Sequence, residues 1–281
     1  MDLSARTELD YLARIVEVVN EAVPGAEWIL VGALARDLLL HYAHGIAISR
    51  ATTDVDLAIA VRSWEHFSTT RQALLDSGRF ESVRGVEHQV TFDRDIKIDL
   101  VPFGGIERSD GTIAWPPGGH PSMTVTGFSE ALRTANQVAL PHGQRVAVVC
   151  LPMLLLLKLM AWQDRRHRRP GVDAEDIMLI LRNYTDCGNL ERMAAQHADL
   201  MERADFDYEL AGSILAGRDL AGLLAEAEED SPSALELARE IVRLQIQSEG
   251  PGPLVGDVRA TDMDNFRKLL EAFSNGLSLD E

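Results

Sequence analysis

Apolar and polar positions along the chain repeat with two different periods, and the change falls near residue 150. Before it, short helical and short alternating runs follow one another. Thr7 to Val23 carries Leu9, Leu12, Ile15, Val16 and Val19 at helical spacing. Thr7-x-x-Asp10 has the form of a capping box, and Pro24-Gly25 ends the helix. Trp28-Ile29-Leu30-Val31 reads as a short apolar strand, Gly32-Ala33 as a turn, and Leu34 to His44 as a helix closed by Gly45. Ala51 to Val61 reads as a strand with Val55, Leu57 and Ile59 on one face and Asp54, Asp56, Ala58 and Ala60 on the other. A helix from Trp64 to Asp76 stops at Gly78. Further strands are predicted at Phe80–Val86, His88–Phe92 and Asp95–Val101, the last alternating Ile96, Ile98 and Leu100 with Asp95, Lys97 and Asp99. Phe103 to Pro121 reads as a loop. It holds a tight-turn signal at Asp110-Gly111 and the run Trp115-Pro116-Pro117-Gly118-Gly119, which regular structure excludes. Short strands follow at Met123–Val125 and Arg145–Val149.

From Leu151 the pattern is helical almost to the end. Helices are predicted at Pro152–Asp164, Ala174–Tyr184, Leu190–Met201, Tyr208–Leu215, Leu220–Glu228, Ala234–Gln247 and Asp262–Phe273. Gly250-Pro251-Gly252-Pro253 reads as a linker, near 250–255, that sets the last helix apart. The expectation is an α+β chain with a mixed sheet flanked by helices over 1–150 and an all-helical domain over 151–281.

A length of 281 residues suits one large domain or two modest ones, and 46% hydrophobic with 25% charged residues is ordinary for a globular protein. A formal net charge of −17 argues against a surface broadly adapted to nucleic acid, though not against a local basic groove. Two cysteines, Cys150 and Cys187, without metal-ligand spacing point to a reducing compartment. The N-terminus lacks a basic segment followed by an apolar run, and the longest apolar run, Val146 to Leu157, is too short to span a bilayer. A cytoplasmic location without membrane contact is therefore expected.

Asp54 and Asp56 carry the candidate chemistry. Two residues apart on a strand, they share a face at a spacing of ~6.6 Å and repel unless a cation sits between them. Hard oxygen ligands suit Mg²⁺ or Mn²⁺, whereas the plainer reading is a solvated strand edge or turn. Asp99 supplies a third carboxylate on a strand able to pair beside them, and three such carboxylates can hold two metals ~3.5–4 Å apart. Asp95 and Lys97 share its face and read as a solvated cross-strand pair. Gly32-Ala33 opens a helix whose first N–H groups can meet a phosphate. Lys158 lies in Met153-Leu154-Leu155-Leu156-Leu157-Lys158-Leu159-Met160-Ala161-Trp162, apolar nearly all round, and a lysine buried there needs an anionic partner. A triphosphate and a buried aspartate suit it equally. Lys158, Trp162 and Arg165 form one helical stripe. Arg165-Arg166-His167-Arg168-Arg169 reads as a solvated helix end or a contact for RNA or nucleotide phosphate. Asp173-Ala174-Glu175-Asp176 reads first as a helix N-cap with a reciprocal acid.

In order along the chain, several segments together resemble the polymerase-β-type nucleotidyltransferase superfamily. They are Val31-Gly32-Ala33-Leu34-Ala35-Arg36-Asp37-Leu38-Leu39, Arg50-Ala51-Thr52-Thr53-Asp54-Val55-Asp56-Leu57, Ile98-Asp99-Leu100-Val101-Pro102-Phe103-Gly104-Gly105, Leu157-Lys158-Leu159-Met160-Ala161-Trp162-Gln163-Asp164-Arg165 and Asp173-Ala174-Glu175-Asp176-Ile177. More narrowly, the chain resembles the bacterial predicted nucleotidyltransferases grouped with the AbiEii toxins of type IV toxin–antitoxin systems. The resemblance implies a roughly five-stranded mixed sheet with a helical domain closing over the nucleotide. It implies that Asp54 and Asp56 bind Mg²⁺, that Asp99 completes the site and acts as base, and that Gly32-Ala33 meets the phosphates. Arg36, Lys158 and Arg165 are the further nucleotide-binding candidates. Two positions depart from the pattern: Ala33 stands where Gly or Ser is usual, and Val172 precedes Asp173 where Lys is usual. Arg36-Asp37 is similar to the head domain of tRNA nucleotidyltransferases, which makes a tRNA 3′ end an expected acceptor.

The function expected is Mg²⁺- or Mn²⁺-dependent transfer of a nucleoside monophosphate from an NTP to a hydroxyl on RNA, protein or a small molecule, with a cognate antitoxin as partner. Antibiotic or other small-molecule adenylylation is the enzymatic alternative. A catalytically silent nucleotide-binding or protein-interaction module is the alternative of another class. From residue 200 onward 18 acidic residues face 7 basic ones, a net of −11, which suits a basic partner better than RNA.

Overall fold

The computed structural model of the chain describes residues 1–48, 52, 54–116, 122–225, 234–248 and 250–278. Two compact units emerge, Met1–Arg108 with Thr112–Cys150, and Ser109–Gly111 with Leu151–Glu281. Arg50, Ala51 and Thr53 of the second quoted segment, residues 117–121 of the expected loop and residues 226–228 of an expected helix lie outside the described residues.

In the first unit the elements are α1 (Asp10–Ala22), β1 (Trp28–Val31), α2 (Gly32–Asp37), β2 (Val55–Val61), α3 (Trp64–Asp76), β3 (Phe80–Val83), β4 (Val86–Phe92), β5 (Ile96–Gly104), β6 (Thr112–Ala114), β7 (Ser122–Thr124), α4 (Phe128–Arg133), β8 (Asn136–Ala139) and β9 (Arg145–Val148). Seven strands form one mixed sheet in the order β3-β4-β5-β2-β1-β9-β8, and β6 and β7 form a separate hairpin. The sheet is therefore wider than the five strands expected. β6, β8 and α4 went unpredicted because three to six residues carry too little periodicity to separate from loop. β2 runs antiparallel to β1 and parallel to β5, so it is paired on both sides at the middle of the sheet.

Alternation divides the two faces of the sheet. Val55, Leu57, Ile59, Ile98, Leu100 and Val90 are buried. On that side His88 meets Trp115 at 5.3 Å, and Trp115 meets Phe67 of α3 at 5.4 Å. On the opposite face Phe103 meets Phe128 of α4 at 5.7 Å. The same face carries Asp56 and Asp99 nearer the strand starts.

Two helices differ locally from expectation. Thr7–Leu9 form a 3-10 turn, and α1 begins at Asp10 without a side-chain cap, so the Thr7-x-x-Asp10 capping box is not made. The helix expected over Leu34 to His44 changes winding: α2 gives way to a π-helix over Leu38–Tyr42. Such widened turns recur at functional sites.

In the second unit the elements are α5 (Leu151–Arg165), α6 (Val172–Asn183), α7 (Leu190–Gln196), α8 (Tyr208–Ala225), α9 (Ala234–Ile246), α10 (Pro253–Gly256) and α11 (Met263–Leu277). α5 is its buried centre, with every residue from Leu151 to Met160 inside. α7 stops at His197, short of Met201, because the chain leaves helical geometry there. The two helices expected at Tyr208–Leu215 and Leu220–Glu228 are one, α8, which passes through Gly217. Gly217 is needed there: a Cβ would meet Phe273 O of α11 at 2.3 Å, and one on Gly276 would meet Ile214 O at 2.1 Å. The two backbones cross in contact.

The glycine-proline run does not set α11 apart. Leu254, Phe266, Leu269, Leu270 and Phe273 are fully buried, Leu254 N donates to Gln245 Oε1 (2.9 Å), and Trp162 Nε1 donates to Asp257 Oδ2 (2.7 Å). Cys150 and Cys187 are not joined in a disulfide, and burial first, then Asp186, pushes the Cys187 thiol up to about 12. Among the described residues no helix is long and apolar enough to cross a membrane.

Candidate functional site

Asp56 and Asp99 stand opposite one another in the parallel register of β2 and β5, and Val31, the last residue of β1, stands opposite Asp56 on the other side. Side chains in register on neighbouring strands share a face, so the two carboxylates are neighbours by construction. The turn out of β1 fits around one of them. Gly32 has φ +73°, and a Cβ there would lie 2.0 Å from Asp56 Oδ2. Only glycine adopts this backbone and leaves that space. Sequence alone assigns Gly32 to a phosphate; in the fold the group seated closest against it is the Asp56 carboxylate.

Asp54 precedes β2, and its N–H donates to Thr52 Oγ1 (3.2 Å), which holds the entry to the strand. Asp99 is fixed from two sides. Gln89 Nε2 donates to Oδ1 (2.6 Å) and Lys97 Nζ donates to Oδ2 (3.2 Å). Lys97 Nζ also lies 3.6 Å from Asp54 Oδ2. The lysine therefore bridges Asp54 and Asp99. This corrects its reading as part of a solvated pair; Asp95, beside it in sequence, is exposed.

Gln89 was missed, although a signal was present. β4 and β5 join through Asp93-Arg94-Asp95, with Asp93 and Arg94 at positive φ, and Phe92 faces Ile96. Counting outward from that turn sets Gln89 opposite Asp99. Arg36, by contrast, is buried, and its Nε donates to Asp37 Oδ1 (2.8 Å). Ala33 lies in the first turn of α2.

The matching family model is that of the nucleotidyl transferase AbiEii toxins of type IV toxin–antitoxin systems, and it covers residues 15–271. The chain belongs to the AbiEii family. No curated protein matches it. The matched span takes in both units, so the helical half of this AbiEii chain is part of the family's common design and not an appendage.

The remaining candidates, Lys158 and Arg165, lie in the second unit. Lys158 is buried and donates to Asp173 Oδ1 (3.1 Å) and Asp176 Oδ2 (2.6 Å). Of the two partners weighed for it, the structure supplies aspartate, twice. Arg165 grips Asp173 with two parallel bonds, Nε to Oδ2 (2.8 Å) and Nη2 to Oδ1 (2.7 Å). Burial pushes the Asp173 carboxyl up, but the Arg165 bonds and the Lys158 charge together outweigh it and hold the carboxyl below its ordinary value. The N-cap reading of Asp173 fails: Gly171 occupies that position, and Asp173 turns inward to the cations of α5. Arg166 stacks on Trp162, its guanidinium carbon 5.0 Å from the ring centroid.

The donors at Asp54, Asp56 and Asp99 are all hard oxygens, the set that suits Mg²⁺ or Mn²⁺. Among the described residues no three Asp, Glu, His or Cys side chains are gathered closely enough to ligate an ion as they lie. A lysine ammonium instead stands between two of the three carboxylates. A position that draws in one cation suits another, and the residues fit a divalent ion in place of that ammonium.

Proposed function

We propose that this chain transfers a nucleoside monophosphate from an NTP to a hydroxyl acceptor and releases pyrophosphate. The observation that carries the reading is the pair Asp56 and Asp99, in register on adjacent parallel strands beside a turn that only Gly32 can make. Asp54, Asp56 and Asp99 would hold Mg²⁺ or Mn²⁺, which when bound would neutralise charge on the triphosphate. Asp99 is the residue that takes the acceptor's proton. Gln89 holds one of its oxygens and so sets which edge of the carboxylate faces the hydroxyl. Gly32 and Ala33 would meet the phosphates through backbone N–H groups.

The acceptor in this reading is an RNA 3′ end or a protein hydroxyl, and the family's toxin–antitoxin description supports a cognate antitoxin as regulator. Lys158 and Arg165 act in it by shaping the second unit around Asp173 and Asp176. Incubation of the full chain with each α-labelled NTP and Mg²⁺, with and without total tRNA, tests the reading. Label moving to tRNA or to protein supports it. No transfer under any NTP, together with no Mg·NTP binding by calorimetry, would overturn it.

A further inference from the structure

The structure assigns to Lys97 the part of a built-in counter-cation that occupies the place of the divalent metal and must leave it for the metal to bind. This rests on the reading above of Asp54, Asp56 and Asp99 as the metal-holding set. Lys97 and Asp99 are two apart on β5, so they share a face at one strand repeat. From there the ammonium spans two different elements, 3.2 Å from Asp99 Oδ2 on β5 and 3.6 Å from Asp54 Oδ2 at the entry to β2. Both carboxylates would otherwise repel one another across the site.

Lys97 thus holds the carboxylates together before a metal arrives. It cannot stay once a dication does, because an ammonium and a dication on the same oxygens repel. The side chain is one-third exposed, which leaves it room to withdraw. Asp99 stays aimed meanwhile, because its other oxygen is held by Gln89. Lys97 is on this account a positioning residue, and it sets the metal affinity by competition. Its removal strengthens metal binding, the opposite of what loss of a supporting residue does.

The test is direct binding of Mn²⁺ alone to the full chain, by calorimetry or by the spin-resonance signal of the free ion. Lys97→Met and Lys97→Gln should tighten Mn²⁺ binding by roughly tenfold, as expected when the metal no longer has to break two partly exposed ion pairs. Lys97→Arg keeps the charge and should stay near wild type. Circular dichroism confirms that each variant is folded, and the two neutral variants guard against loss of either one. Unchanged or weaker Mn²⁺ binding in the folded neutral variants overturns the proposal, as does equal tightening in Lys97→Arg. Asp56→Asn separates this from failure of the underlying reading. If that variant binds Mn²⁺ as well as wild type, or wild type and the neutral variants alike bind none, the carboxylates are not the metal site and both ideas fall.

Discussion

At the scale of single residues, the three carboxylates are not equivalent. Asp56 is seated against Gly32, Asp99 is held by Gln89 and Lys97, and Asp54 stands at the strand entry with its side chain 44% exposed. Asp54 and Asp56 follow the turn proposed to meet the phosphates, whereas Asp99 comes from the next strand and faces the acceptor in the proposed reaction. Asp54→Asn should therefore lose both Mg·NTP binding and transfer. Asp99→Asn should keep most NTP binding and lose transfer by about 10²–10⁴-fold, the usual cost of a missing general base. Calorimetry of Mg·NTP beside an end-point transfer assay checks this. Equal loss of binding in both variants would mean that Asp99 serves only to hold the metal and does not act as the base. The aspartates were legible from the chain alone because Asp-x-Asp alternation is local. That Asp99 faces Asp56 was not, because a parallel register is set by packing between distant strands and leaves no mark in either one.

At the scale of elements, α5 and α6 are joined by ion pairs inside the helical unit. Lys158 is 3% exposed and touches two carboxylates that are equally buried. Lys158→Met leaves their charge with less compensation and should destabilise the fold by about 3 kcal/mol or more, read as a lowered Tm. The Asp173 carboxyl is held below its ordinary value in the fold, so the unfolded chain takes up its proton first as pH falls. The stability it lends is full at neutral pH and drains away as pH drops below about 4. Melts of wild type across that range should show the loss, and Arg165→Met should make it smaller, because removing the group that most depresses the carboxyl brings its folded and unfolded values together. The crossing of α8 and α11 gives a second element-scale result. A Cβ on Gly276 meets backbone at 2.1 Å, so Gly276→Ala must push two helices apart at a cost of about 1–3 kcal/mol or more. A Tm equal to wild type would show that the crossing tolerates the methyl. Most helices were readable as amphipathic or wholly apolar stretches. The stretch through Gly217 is one helix where two are expected, and an isolated glycine in a helical pattern suits an end and a close crossing alike. The partners of Lys158 were uncertain for a related reason: the four-residue spacing of the α5 stripe shows which side chains align, but not which carboxylates of α6 they meet.

At the scale of the whole molecule, charge decides what kind of acceptor can approach. The chain carries a net −17, and residues after 200 alone carry −11, so a polyanion such as tRNA meets a net repulsion. The densest basic cluster, Arg165 to Arg169, is the natural exception, yet its members are not alike. Arg165 is committed to Asp173, and Arg166 lies on Trp162, while Arg168 and Arg169 are exposed past the end of α5. A guanidinium stacked on an indole face still offers its N–H edge, so Arg166, Arg168 and Arg169 are the three available to phosphates. Neutralising those three together, and leaving Arg165 in place, keeps the buried pair intact and tests charge alone. If the acceptor is tRNA, its affinity should fall and the slope of log K against log salt should flatten by roughly one unit for each phosphate left without its arginine. Titrations of total tRNA at several salt concentrations measure both. An unchanged slope, with transfer to protein intact, would make the cluster a solvated helix end favoured by the α5 dipole. It would direct the search for the acceptor to the basic protein partner that the acidic helical half suits best.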